Sequence, residues 1–420
     1  MVAIADLPHH RPRPADAKTA LGGMRVIDFT HFLAGPMCTL ILADFGAEVI
    51  KIENADRGDD FRGMKMSAEV GGEGGPFLFA NRNKRSVGLD LSRPEGREVV
   101  RGLIAGADIV VENFSAGVMK RLGLDYPTVS VTNPGLIYCS IGAYGRDGAL
   151  AHRAGFDPVA QAEGGLMAVN GHADAAPVAI GTPVVDISTG MSASIAVLAA
   201  IAARLRHGAG QYVEVNLFDQ AVAMLAYLAT NTLITGNDPV RAGNLSAGSV
   251  PVGVFEASDA PMYLCCANDR TYHRLATDVL GRPELATDPD YATAAARVRN
   301  RAALVALLRA AFATAPRATW LAKMHVAGVP VGAVASVREA MNGAEIRERG
   351  LLSQLPRAGG AVPHIAPPFR LGATPVVDPV AAPTVGQHTD AVLREALGLD
   401  DAGIAALAAT GALGTRRAGG

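Results

Sequence analysis

The feature that most constrains this chain is the alternation in its first half, where short apolar strand-like runs are separated by stretches of helical length. Met24–Phe29 reads as a largely apolar strand that ends at Thr30-His31. Pro36 then stands where the first turn of a helix belongs, with Met37–Phe45 after it and Gly46 as its cap. Glu48–Glu53 and Ser86–Leu91 repeat the strand signal, Pro94–Ala107 reads as a helix, and Asp108–Glu112 and Leu136–Ser140 as further strands. Strands joined by helix-length crossovers pair in parallel, with helices on the sheet faces. The expected class is α/β, a Rossmann-like parallel-sheet large domain plus a smaller α/β domain.

The second half changes texture. Ile187–Arg204 reads as a long helix broken by His207-Gly208-Ala209-Gly210, Tyr212–Asn216 as a strand, and Leu217–Leu233 as one apolar helix. A Gly-, Asn- and Ser-rich run from Gly236 to Pro251 suits a linker or a mobile loop. Val252–Cys266 then reads as a hairpin, and Tyr272–Leu280 and Arg301–Ala313 as helices. Pro367, Pro368, Pro375, Pro379 and Pro383 make an extended connection before a last helix at Asp390–Leu397. The expected organisation is a mobile tail at 1–22, a large domain at 23–240 and a small domain at 245–335. Residues 336–420 would form a return segment and a C-terminal helix packing on the large domain.

Composition excludes several classes. Lys and Arg number 38 against 40 Asp and Glu, a net charge of −2, so there is no polybasic footprint for nucleic acid or an anionic membrane. The four cysteines form no C-x-x-C pair and have no histidine cluster beside them. Neither a zinc site nor a disulfide framework is expected, and a reducing, cytoplasmic setting fits. The uncharged runs Ile187–Ala203 and Gln220–Asn237 are diluted by Ser, Thr, Asn or Gly and read as buried core helices.

Nucleotide motifs are missing. The turn after the first strand, His31-Phe32-Leu33-Ala34-Gly35-Pro36, holds one glycine where a dinucleotide fingerprint needs three. Neither a phosphate-binding G-x-x-x-x-G-K-[ST] loop nor a G-x-S-x-G elbow is present. The remaining candidate is Asp186, in Gly181-Thr-Pro-Val-Val-Asp-Ile-Ser-Thr-Gly190 at the start of the long helix. Its spacing permits two compatible readings. One is an N-cap accepting backbone N–H groups; the other is a carboxylate, kept ionised by the helix dipole, that attacks an activated acyl group.

A run of motifs resembles the family III CoA-transferases, the formyl-CoA and carnitine CoA-transferase type. They are Gly22-Gly-Met-Arg-Val-Ile-Asp-Phe-Thr, Ala34-Gly-Pro, Gly46-Ala-Glu-Val-Ile-Lys-Ile-Glu53, Asn83-Lys-Arg-Ser-Val-Gly-Leu-Asp-Leu91 and Val111-Glu-Asn-Phe114. Gly155-Phe-Asp-Pro, the Asp186 run, Gly208-Ala-Gly-Gln211, Gly328-Val-Pro-Val-Gly332 and Gly386-Gln-His-Thr-Asp390 follow in order. The resemblance implies that Asp186 is a nucleophile. It would form an aspartyl mixed anhydride and then an aspartyl-CoA thioester while CoA passes from an acyl-CoA to a free carboxylic acid. No tightly bound cofactor and no metal are implied; CoA and its thioesters are substrates.

The resemblance also distributes supporting roles. Asp157 would orient the site around Asp186, and His31 and Ala34 would border the acyl group, although a histidine ending a strand is equally a plain cap. A mobile loop at Gly243-Asn-Leu-Ser-Ala-Gly-Ser-Val250, with Gly248, corresponds to one that closes over the site in relatives. Arg121, Lys84, Arg85, Arg57 and Leu91 are the candidates for holding CoA, each Lys or Arg being otherwise a solvated surface charge. Relatives form ring-like homodimers with interlocked chains. Two rivals stand beside this reading. An α-methylacyl-CoA racemase would need a histidine where Phe156 stands, with His152 four residues early; a CoA-binding protein without turnover would have no use for Asp186. Leu33, where formyl-CoA transferase presents a glutamine, disfavours a formate/oxalate pair, and succinyl-CoA is the expected donor.

Overall fold

The structure, a computed structural model, describes residues 4–64, 69–246, 248–357 and 360–414. Its chain divides into two units, one of residues 1–164, 181–225 and 344–420, the other of 165–180 and 226–343. The expected boundaries at 240–245 and 335 thus differ from the observed ones. Sequence position alone hides that the stretch 165–180 belongs with residues far along the chain.

The first unit is built on six strands: β1 (Arg25–Asp28), β2 (Glu48–Asn54), β3 (Lys84–Leu89), β4 (Ile109–Glu112), β5 (Ile137–Gly142) and β6 (Gln211–Asn216). All pair in parallel in the order β3-β2-β1-β4-β5-β6, with Val26 opposite Val49 on one side and Ile109 on the other. This is the doubly wound order, in which the chain steps outward from β1 and then returns to its other side. The crevice at the carboxyl ends of β1 and β4 is the switch point where such sheets bind ligands.

Helices cover both faces, which is why nearly every residue of β1 to β5 is buried. The helices that matter for the site are α1 (Ala34–Asp44), α2 (Pro94–Ala105), α3 (Asp157–Glu163), α4 (Val184–His207) and α5 (Leu217–Ala223). On one face α2 joins Ile27, Ile50, Val87 and Val110 in a core that also takes in Val392, Leu393 and Ile404 from the chain's C-terminal part. On the other face α1 packs against α4. A Cβ added at Gly190 would lie 2.6 Å from the Ala34 carbonyl oxygen and 2.7 Å from Met37 Cβ, so the glycine sets how closely the two helices approach. Helix α4 has the length and hydropathy of a membrane span, but eight of its residues are buried within the unit.

In the second unit an antiparallel sheet of Val252–Glu256 (β7), Pro261–Cys265 (β8) and Val331–Ala333 (β9) packs on helices, among them Arg301–Phe312 and Arg317–Ala327. Phe255, Phe312 and Trp320 meet edge to face at its core, and the Trp320 indole N–H donates to the Phe312 carbonyl at 2.9 Å.

Three expectations need correction. Leu217–Leu233 is not one helix: it breaks at Ala226, whose φ of +47° no helix tolerates, and Tyr227–Thr235 resumes with no buried residue. Tyr272–Leu280 is instead a helix at Asp269–Arg274 followed by a wider π-turn at Leu275–Val279. The described part of the N-terminal segment is pinned and not a loose tail. The Gln354 side chain donates to the Leu7 carbonyl at 2.6 Å, and His10 and the Arg13 backbone N–H both bind Asp378. Those partners lie more than 300 residues away, beyond the reach of local pattern.

Candidate active site

The site is assembled at the carboxyl ends of β1 and β4. Asp28 closes β1 with its carboxylate fully buried, accepting from the Thr30 N–H (2.8 Å), Thr30 Oγ1 (2.5 Å), Thr39 Oγ1 (2.7 Å) and Lys84 Nζ (3.1 Å). Burial pushes its pKa up, but Lys84, Lys51 and the hydrogen bonds from Thr30 and Thr39 together hold the group below the usual carboxylate range. Lys51, equally buried, pairs with Asp59 at 2.9 Å and donates to the Thr30 carbonyl at 2.5 Å. Buried charges that satisfy one another hold the turn from β1 into α1 in one shape.

That turn presents His31 and Ala34. The His31 N–H donates to Asn113 Oδ1 at 2.9 Å, and Asn113 Nδ2 donates back to the His31 carbonyl at 2.8 Å. The two bonds clamp the ends of β1 and β4 at the switch point. The His31 ring lies 4.9 Å from Phe32 and 5.4 Å from Phe114, and burial lowers its pKa, which favours the neutral imidazole. Phe32 takes a φ of +60°, a conformation held in part by its N–H donating to Asp59.

Asp186 enters from the first turn of α4, and here the cap expected of it belongs to another residue. Pro183 occupies the N-cap and Asp186 is the third helical residue. Asp157 supplies the cap from α3: its Oδ2 accepts the N–H groups of Val185 (2.7 Å) and Asp186 (3.0 Å), while Gln161 Nε2 donates to Oδ1 at 2.6 Å. The Asp186 carboxylate receives no hydrogen bond among the described residues. Burial, and secondarily the nearby Asp157 charge, push its pKa up to about 7, so the expected gain from the helix dipole does not prevail.

Asp186 faces a cavity of about 230 Å³ lined also by His31, Leu33, Ala34, Asn113, Phe114, His152 and Phe156. Phe156 stands edge-on to Phe32 at 5.7 Å, an aromatic wall where a racemase would need a base. Arg146 borders the cavity with its guanidinium fully engaged by Glu112, Ser140, Phe114 and Ile141. A neighbouring cavity of about 270 Å³ opens beside β1, β2 and β3, lined by Phe29, Arg57 and Leu91 among others, and His31 and Phe114 line both. Glu53 and Asp59 in its wall are taken by Arg62 and Lys51, whereas Arg57 is exposed and has no side-chain partner among the described residues.

The structure therefore brings Asp186, Asp157, His31 and Ala34 together and puts Arg57 and Leu91 next door. Other expected residues lie elsewhere. Lys84 is buried beneath the β1–α1 turn, held by Asp28, Asn81 and the Pro36 carbonyl; burial, partly offset by Asp28, takes it to about 8. It offers nothing to a phosphate. Arg85 lies toward the amino end of β3, opposite Ile50, and pairs with Glu48 and Glu395 at 2.6 Å each. Arg121 is exposed on Val118–Leu122 and lines neither cavity. Gly248 belongs to the second unit; its backbone conformation is one any residue adopts and a Cβ there would meet open space. Ala247 of the same loop lies outside the described residues.

Two residues escaped the sequence reading. Asn113 sits inside the Val111–Phe114 motif without a role assigned to it, and His152, set aside as misplaced, lines the same cavity as Asp186. Only the return of the 143–156 loop toward β1 reveals the latter.

Comparison with known proteins agrees with this geometry. The model of the family described as CoA-transferase family III matches residues 21–389. Succinyl-CoA:glutarate CoA-transferase of Mus musculus is 35% identical over 399 residues, covering 95% of this chain and 91% of that protein. Acetyl-CoA:oxalate CoA-transferase of Acetobacter aceti is 39% identical over 340 residues, 81% of this chain and 87% of the relative. Among solved structures, a CAIB/BAIF family protein from Brucella suis superposes with a TM-score of 0.82 at 37% identity, covering 90% of this chain and all of that one. A doubly wound sheet lacking the nucleotide fingerprint, an acid cavity at its switch point and a family match over most of the length lead to one conclusion: the chain belongs to CoA-transferase family III.

Proposed function

We propose that the protein moves CoA from an acyl-CoA thioester to a free carboxylic acid through covalent intermediates on Asp186. The observation that carries this is the Asp186 carboxylate, which faces a cavity with no donor on it while Asp157 takes over the helix-capping role. A carboxylate free of hydrogen bonds and poorly solvated is a stronger nucleophile than a surface one.

In the first step an Asp186 oxygen attacks the thioester carbonyl, the C–S bond breaks, and CoA leaves as thiolate. The thiolate then attacks the Asp186 carbonyl carbon of the mixed anhydride; the C–O bond breaks and the donor acid departs, leaving an aspartyl thioester. The acceptor carboxylate reverses the sequence, so CoA ends on the new acyl group and Asp186 is again a carboxylate. His31, Ala34 and Phe156 wall the acyl group, and Arg57 and Leu91 receive part of CoA in the neighbouring cavity. Succinyl-CoA is the donor we favour and a dicarboxylate the acceptor, because the mouse relative is named for succinyl-CoA and glutarate and the Acetobacter relative for oxalate. The active form we propose is a homodimer. In support, Ile195 and Leu205 on α4 and Leu233 and Ile234 in the second unit are all more than 60% exposed, an excess of apolar surface that a second copy would cover.

The test is CoA exchange read by mass spectrometry, with succinyl-CoA and a panel of acids including glutarate and oxalate. Formation of new thioesters by wild type and none by Asp186→Ala is the expected result. Deuterium entering the α-carbon of an acyl-CoA without transfer would favour the racemase reading, with His152 as the base. Light scattering should return twice the chain mass.

A further inference from the structure

A third cavity, of about 350 Å³, lies between the N-terminal segment and the proline-rich return segment, and none of its lining residues lines the Asp186 cavity. Its wall includes Arg11, Arg13, His364, Phe369, Arg370 and Pro375. That volume is within the range of small-molecule sites.

The charges in this wall do not balance. Its two carboxylates are already engaged: Asp44 by Arg82 and Asn83, Asp378 by His10 at 2.8 Å and the Arg13 N–H at 2.9 Å. The Arg370 guanidinium donates only to the carbonyls of Pro367, Phe369 and Arg349. Among the described residues no carboxylate lies within ion-pair distance of the Arg11, Arg13 or Arg370 guanidinium.

Two polar nitrogens in the wall are also unsatisfied. Arg13 Nη1 is inaccessible to solvent and has no hydrogen-bond partner among the described residues. His364 is 5% exposed; its Nδ1 lies 3.0 Å from Ser353 Oγ and its buried Nε2 has no partner among the described residues. Leaving a buried donor unmade costs about 1–3 kcal/mol, more when the group is charged. Beside these polar atoms the wall is apolar: Phe369, itself packed on Phe45 at 5.1 Å between ring centroids, with Pro375 and Leu371.

We propose that this cavity is a second ligand site that takes a small organic acid with an apolar body. Its carboxylate would be met by Arg11 and the guanidinium of Arg13, which both line the cavity, and its carbon chain would lie against Phe369 and Pro375. A carboxylate there neutralises the local excess of cation.

The test is isothermal titration of hexanoate, with inorganic phosphate as a second arm, into the full-length protein and its Arg13→Gln and Arg11→Gln variants. The expected result is saturable hexanoate binding in wild type, weakened at least about tenfold by each substitution, as loss of a charge-assisted hydrogen bond implies. Phosphate should bind more weakly. Absence of saturable binding overturns the site, and so does binding that survives both substitutions, since the acid then sits elsewhere. Phosphate binding as tightly as hexanoate overturns the apolar part of the assignment. Arg11 is exposed and has no side-chain partner among the described residues, so Arg11→Gln keeps the test decisive even if Arg13→Gln fails to fold.

Discussion

Asp186 and Asp157 divide two jobs that either carboxylate might do, and their surroundings decide which does which. Asp157 is 4% exposed and solvated by backbone N–H groups and Gln161, whereas Asp186 is half-buried, receives no hydrogen bond among the described residues and sits at about 7. Because the nucleophile is the ionised form, kcat/KM should rise with pH and level off above about 7. Asp157→Asn keeps a cap oxygen but removes the neighbouring charge, so this acid limb should move to lower pH, read from a pH–rate profile. Burial is the larger cause of the raised pKa, so the limb should stay above the usual carboxylate range. The same shift has a stability consequence. A carboxyl whose folded pKa exceeds its unfolded value of 3.8 binds its proton more tightly when folded, so stability is lost as pH rises from about 4 through about 7. Asp186→Asn should therefore abolish transfer yet raise the unfolding free energy at pH 8, by on the order of 1–3 kcal/mol in denaturant titration. In the neighbouring cavity, Arg57→Ala should raise KM for acyl-CoA about tenfold with kcat little changed, as expected when one charge-assisted contact to substrate is lost.

At the scale of elements, the site depends on how closely α4 approaches α1. Gly190 allows Ala34 and Met37 to touch α4 directly, and Asp186 lies one turn before it. Gly190→Ala puts a methyl carbon into the Ala34 carbonyl, so the helices must separate. We expect a loss of about 1–3 kcal/mol by thermal unfolding, and a kcat that falls more than the KM for acyl-CoA changes. Most of these elements are legible in the sequence. Strands β1 to β6 lie within about two residues of the runs read for them, and in β1 to β5 the signal is the apolar residues that a parallel strand buried on both faces needs. The break at Ala226 is not legible, since Leu217–Leu233 carries neither glycine nor proline and nothing local forbids continuing the helix.

Across the molecule, the C-terminal part is tied back to the sheet by buried charge. Arg62 pairs with Glu53 at 2.6 Å and with Glu73, Glu73 also pairs with Arg357, and Arg62 Nη1 donates to the Pro383 carbonyl at 3.0 Å. Arg62→Leu would leave the buried Glu53 carboxylate without its cation, while Glu73 keeps Arg357, and should cost about 3–5 kcal/mol, measured by denaturant unfolding. By itself the sequence determined the α/β class, the family and the position of Asp186 at the head of a helix, because apolar period, turn residues and short motifs are local properties. Only the tertiary structure decided what the polar groups do. Lys84 and Arg85 read as cations for CoA until the fold set carboxylates against them, and Asp186 reads as a cap until Asp157 arrives from α3. The partner of a charge is chosen by packing between residues distant in the chain, and no local pattern encodes that choice.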